Sequence, residues 1–97
     1  MITSKQRAYL RGLSNSMETI GQIGKSGIGE SVVAQVNEAL MARELVKFRV
    51  LETAMLTARE AAVELAEKTG ADIVQIIGTR FVLYRRNEKN PVISLDE

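Results

Sequence analysis

The sequence predicts a two-layer α/β domain with elements in the order αβαβαββ and a mixed four-stranded sheet. Three observations carry this. Thr3-Ser4-Lys5-Gln6 and Thr57-Ala58-Arg59-Glu60 are capping boxes, each opening a run with apolar residues at helical spacing. From Val46 to Val50 apolar and cationic residues alternate with a period of two, the mark of a strand covered on one face. Gly78-Thr79 separates two β-forming runs and is the Gly-X pair of a two-residue type II′ hairpin.

The first helix runs from the Thr3 cap to about Gly12–Asn15, with Tyr9, Leu10 and Leu13 as its buried stripe. Arg7 and Arg11, four apart, share another face. Met17–Ile23 is a short strand anchored by Ile20 and Ile23 and ended by Gly24. A glycine-rich loop, Gly24-Lys25-Ser26-Gly27-Ile28-Gly29, leads into a helix over Glu30–Arg43, where Val32, Val33, Val36, Ala39 and Leu40 keep the 3–4 spacing. In Leu45–Val50, Val46, Phe48 and Val50 face the core, and Lys47 and Arg49 point together to the other side. The third helix buries Ala58, Ala62, Leu65 and Ala66 and ends at Gly70, its small side chains allowing close approach to a sheet. Asp72–Ile77 and Arg80–Arg86 form the hairpin, and residues 87–97 are a polar tail that adds a short edge strand at Val92–Ser94. Strand–helix–strand crossovers make the first three strands parallel and right-handed in connection, and the hairpin returns the fourth antiparallel.

At 97 residues and 10.7 kDa the chain is expected to be one domain over 1–97, with its core at about 2–86. It has no Cys and no His. That removes disulfides, thiolate metal sites, serine–histidine triads and the usual proton shuttle at neutral pH. The expectation is a monomer without metal or cofactor, and not an enzyme. Apolar stretches are only a few residues long, and the N-terminus lacks the basic-then-apolar layout of a signal peptide, so a cytoplasmic, non-membrane protein is expected.

The net charge of +1 conceals segregation. Residues 1–16 carry Lys5, Arg7 and Arg11 without an acid; 43–49 carry Arg43, Lys47 and Arg49 against Glu44; 80–89 carry Arg80, Arg85, Arg86 and Lys89 against Glu88. The third helix and its approaches are acidic, with Glu52, Glu60, Glu64, Glu67 and Asp72 against Arg59 and Lys68.

The loop at Gly24–Gly29 is the most informative local feature. Glycines admit positive φ and let a polyanion approach the backbone, and the helix start behind them offers unpaired N–H groups. It is not a Walker A loop, since position 19 is Thr and not Gly, and it lacks the third glycine of a dinucleotide fingerprint. What remains is Gly24-Lys25-Ser26-Gly27, the G-x-x-G arrangement with which KH modules clamp a nucleic-acid backbone. Alone, such a turn is more often structural. Lys47 and Arg49, or Arg85 and Arg86 after Tyr84, are singly ordinary solvated positions; Tyr84 is a core or edge aromatic that could also stack a base. The conjunction of these features in one small domain turns the reading to nucleic acid. A protein-interaction module using the hairpin edge or the alanine-rich helix is the alternative.

Four segments resemble the CRM domain, most closely its single-domain bacterial YhbY-like form. They are Thr3-x-Lys5-Gln6-Arg7-x-Tyr9-Leu10-Arg11, Ile23-Gly24-Lys25-Ser26-Gly27, Glu44-Leu45-Val46-Lys47-Phe48 and Gly78-x-Arg80-x-x-Leu83-Tyr84-Arg85. The resemblance implies a fold similar to the C-terminal domain of bacterial translation initiation factor three, with the last strand inserted between the second and third. It also implies RNA as partner, specifically precursors of the large ribosomal subunit. The family's clamping loop falls on Gly24, Lys25, Ser26 and Gly27, and its basic face on residues such as Lys5, Arg7, Arg11, Lys47 and Arg80. Two positions depart from the family pattern: Arg43 stands where His is frequent, and Gly29 where a Thr cap is frequent, a change that costs a few tenths of a kcal/mol.

Overall fold

The computed structural model describes residues 2–89 and 91–95. Helix α1 (Ser4–Ser14) starts where the sequence places it, because both halves of the first capping box form. Gln6 N donates to Thr3 Oγ1 at 3.1 Å, and Thr3 N donates to Gln6 Oε1 at 2.9 Å. Strand β1 (Gly21–Ile23), helix α2 (Glu30–Arg43) and strand β2 (Leu45–Val50) follow, then a 3₁₀ turn at Glu52–Ala54. The second capping box opens α3 (Ala58–Thr69), and Gly70, at φ 75°, closes it in the left-handed conformation that glycine enters without steric cost. Strands β3 (Asp72–Ile77) and β4 (Arg80–Tyr84) complete the chain's regular structure.

The sheet order is β1-β2-β4-β3. β1 pairs parallel with β2, and β4 is antiparallel to both of its neighbours, so β1, β2 and β3 share one direction. The mixed four-stranded sheet is the one expected, with the last strand between the second and third.

Alternation along β2 and β4 then divides the core in two. Val46, Phe48 and Val50 of β2 and Phe81 and Leu83 of β4 face α2 and α3. The rings of Phe48 and Phe81 stack at 6.1 Å between centroids, and Ala58, Ala61, Ala62 and Leu65 bring α3 down upon them. Leu45, Val74, Val82 and Tyr84 point the other way, where Ile2 and Leu10 cover them. α1 therefore forms a partial layer on the second face, because one end of that face is apolar and must be shielded.

This placement changes the expected stripe of α1. Leu10 is fully buried and Ser14 nearly so, whereas Tyr9 is 51% exposed and Leu13 36%. The apolar end of the second face is narrow, and one i, i+4 column of the helix fills it. β1 is also shorter than Met17–Ile23. Residues 17–20 run irregularly toward the sheet: Met17 N bonds back to Ser14 O, and Ile20 N reaches Lys47 O at 2.9 Å. Pairing becomes regular at Gly21, where a Cβ would lie 2.6 Å from Phe48 Cε2, so the aromatic ring occupies the space of a side chain. β4 ends at Tyr84 rather than Arg86, although Arg85 N still donates to Glu44 O.

The tail forms no strand at Val92–Ser94. Its N–H groups turn instead to a buried carboxylate. Glu44, with no exposure and φ 67°, accepts from Asn87 N at 2.6 Å, Val92 N at 2.9 Å and Ile93 N at 2.7 Å. Ile93 and Leu95 pack beside the second core. Residues 90, 96 and 97 of the expected tail lie outside the described residues. No helix of the described residues is long and apolar enough to cross a membrane.

Glu44→Ala leaves these backbone donors without their charged acceptor and should lower the unfolding free energy by about 3 kcal/mol, measured by urea denaturation. A variant as stable as the parent would show that the carboxylate does not hold the tail.

Candidate nucleic-acid interface

The G-x-x-G loop leaves the sheet at the Ile23↔Val50 end of the β1–β2 ladder. Gly27 N donates to Gly24 O at 2.9 Å, closing a turn with Lys25 and Ser26 exposed at its tip. Gly27 has φ +68° with open space where a Cβ would stand, so its requirement is conformational. Gly24 has ordinary φ, and a Cβ there would meet Leu51 Cδ1 at an unstrained 3.6 Å. Gly29, extended and without a side-chain cap bond, precedes α2. The first-turn amides thus receive no side-chain acceptor from the N-cap, while Glu30 beside them partly offsets the positive helix end.

The ladders fix what shares the second face of the sheet. Leu45, Tyr84 and Asp72 form a row at the α1 end, Lys47, Val82 and Gln75 the next, and Gln22, Arg49, Arg80 and Ile77 the row nearest the loop. Arg49 and Arg80 stand directly opposite each other and both are exposed. Neither forms an ion pair among the described residues, so the register juxtaposes two unneutralised cations, an unfavourable cross-strand pair. Lys47 is half-buried and donates from Nζ to Met17 O at 3.0 Å, which pins the connection after α1 to the sheet and fixes its ammonium. A cleft of about 480 Å³ opens here between Ser14 and Asn15 of α1, residues 17–19 and the floor of Lys47, Val82, Gln75 and Arg80. Glu18 is the acid in its wall.

The structure therefore brings Gly24, Lys25, Ser26 and Gly27 to the same sheet end as Arg49 and Arg80, with Lys47 one row further in. Of the α1 cations, Arg7 lies toward the other end, at Ile73, and Arg11 is one turn before the Ser14–Asn15 wall of the cleft. Lys5 and Arg11 are exposed, and Arg7 Nε donates to Ile73 O at 3.1 Å. Arg7 caps a carbonyl of edge strand β3 and so discourages pairing with another chain.

Arg85 is set apart from this group. It follows the β4 residue paired with Leu45, at the opposite end of β2, roughly 17 Å from the loop end at the usual strand rise. Its Nη1 donates to Asn37 Oδ1 at 2.7 Å and Thr69 O at 2.6 Å, and Nη2 to Asn37 O at 3.3 Å. It joins α2 to the end of α3. Tyr84 is buried and unavailable for base stacking. Burial, then the charges of Glu44 and Asp72, raise its hydroxyl pKa above the ordinary tyrosine value, against the opposing pull of Arg86.

Gln75 escaped the sequence reading. Strict alternation assigns it to the helix-covered face, but the ladder shifts register between Ile73 and Gln75. This bulge turns Val74 and Gln75 both toward the second face. No residue type at 72–77 announces it.

The family model of the CRS1 / YhbY (CRM) domain matches residues 2–85. The chain is 36% identical over 95 residues to Bacillus subtilis YqeI, named as a probable RNA-binding protein, with 98% of this chain and 99% of that one covered. It is 32% identical over 88 residues to a Haemophilus influenzae protein named as RNA-binding, covering 91% and 89% of the two chains. The solution structure of Staphylococcus aureus SAV1595 superposes with a TM-score of 0.78 at 38% identity, covering 98% of this chain and 99% of the other.

Arg85→Ala should cost about 2–3 kcal/mol of unfolding free energy by chemical denaturation, since it removes charge-assisted bonds across α2 and α3. Arg80→Ala should be neutral or raise stability by a few tenths of a kcal/mol by relieving the Arg49 repulsion. The reverse order would contradict the division between structural and surface arginines.

Proposed function

The chain belongs to the CRS1/YhbY (CRM) domain family, and from this premise we propose that it is a non-catalytic RNA-binding protein that clamps a sugar–phosphate backbone. The observation that supports this most is the exposed Arg49–Arg80 pair, unneutralised, at the sheet end from which Gly24–Gly27 leaves. A polyanion laid across that end relieves the repulsion between the two guanidiniums. It also meets Lys25 at the loop tip, and Lys47 keeps its ammonium on the inner row through the Met17 carbonyl. Gly27 holds the left-handed turn that keeps bulky side chains away from the approaching backbone.

Exposed aromatic surface is scarce here: Phe48, Phe81 and Tyr84 are buried, and Tyr9 stands on α1. Recognition then follows RNA shape and backbone more than stacked bases, and affinity falls steeply with salt. The finer reading, structured ribosomal RNA in precursors of the large subunit in the cytoplasm, follows from the resemblance to the family's bacterial single-domain form. The names of the relatives support RNA as the partner.

Four phosphate contacts, at Lys25, Lys47, Arg49 and Arg80, correspond to a slope of about −3 to −4 for log K against log salt, from single-stranded to duplex RNA. Lys25→Glu should weaken RNA binding at least about tenfold, flatten the slope by about 1 and leave the melting temperature unchanged, because the residue lies on an exposed turn. Unchanged affinity in Lys25→Glu would remove the clamp. Absence of RNA binding by the parent would favour the protein-interaction alternative.

A further inference from the structure

Two buried polar atoms of the second face lack a hydrogen-bond partner among the described residues, the Tyr84 hydroxyl within the apolar end and Gln75 Oε1 beside the cleft, and only the second belongs to a residue that lines the cleft. Gln75 Oε1 is screened from water and has no hydrogen-bond partner among the described residues. Such an orphan acceptor is unfavourable, and few native buried polar groups lack a partner. The residue as a whole is only half-buried and lines the cleft beside α1, within reach of a bound molecule.

We propose that Gln75 reads the ribose 2′-hydroxyl, making this cleft the place where the protein distinguishes RNA from DNA. The inference rests on the RNA-binding reading above and deepens it. The cleft's volume of about 480 Å³ lies within the range of small-ligand sites. Its lining sets Lys47 and Arg80 and several hydrogen-bonding groups against one acid, Glu18, and has no aromatic side chain, so a base finds no stacking platform and the sugar–phosphate chain is the part that fits. Across the ladder, Gln75 sits opposite Val82, with Lys47 on the far side of Val82 and Arg80 diagonal to it. Two strand spacings, roughly 9–10 Å, separate Gln75 from Lys47. A phosphate held by Lys47 or Arg80 therefore places its ribose over Val82, with the sugar hydroxyl turned toward the amide. The chemistry matches in either orientation of that amide. A 2′-hydroxyl both accepts and donates: it accepts from the amide nitrogen in the observed orientation, and it donates to the carbonyl once the group turns by half a revolution to bring Oε1 into the cleft. DNA offers neither.

The experiment compares an RNA hairpin with the same strand carrying 2′-fluoro riboses, which keep the RNA sugar shape but lose the hydroxyl donor. The parent protein should bind the hydroxyl form about tenfold more tightly. Gln75→Leu should bind both strands equally, with the parent's affinity for the fluoro strand and an unchanged or raised melting temperature. Equal binding of the two strands by the parent would overturn the 2′-hydroxyl reading and leave the clamp standing, a result that needs no variant. A preference that survives in Gln75→Leu would overturn the assignment to Gln75. Failure of the parent to bind either strand would overturn the RNA-binding reading itself.

Discussion

The second face of the sheet governs the arrangement of everything else. It is apolar at one end, through Leu45, Val74, Val82 and Tyr84, and cationic at the other, through Lys47, Arg49 and Arg80. The apolar end must be covered, and Leu10 of α1 covers it together with Ile2, which precedes the helix. The cationic end cannot be buried without partners, so it stays open beside the glycine turn. The proposed interface and the core are thus two halves of one surface, divided by side-chain chemistry along β2 and β4. The position of α1 decides where the division falls.

Charge in this chain does two separate jobs. Glu44 and Arg85 are used internally, at the end of the sheet remote from the loop. One gathers the tail through backbone N–H groups, and the other joins Asn37 to Thr69. Lys47 stands between the two roles, holding Met17 O while remaining on the open face. A cationic segment in the sequence is therefore a poor guide to a binding surface until the partners of each side chain are known. Residues 80–89 illustrate this: Arg80 is exposed on the open face and Arg85 is a tie within the fold.

The sequence made some of this plain, for physical reasons that differ by element. Helix starts at Thr3 and Thr57 were readable because capping is local, and the inward set Val46, Phe48 and Val50 because alternation is periodic. The hairpin was readable from Gly78, which takes φ 58°. Features set by distant contacts were not. The exposure of Tyr9 and Leu13 depends on how wide a face the sheet presents to α1, and the need for glycine at 21 on the Phe48 ring. The tail's attachment depends on a carboxylate more than 40 residues earlier in the chain. In the candidate site, the proximity of the loop to Arg49 and Arg80 required the strand order, and Gln75 required the bulge.

Amide chemical-shift mapping during titration with RNA addresses the interface directly. The account predicts that the largest shifts fall on residues 24–30 together with Lys47, Arg49, Gln75 and Arg80, while the exposed side of α3 and Arg85 stay quiet. Shifts concentrated on α3 or on the Glu44-bound tail, with the glycine turn and the open half of the sheet unmoved, would contradict it.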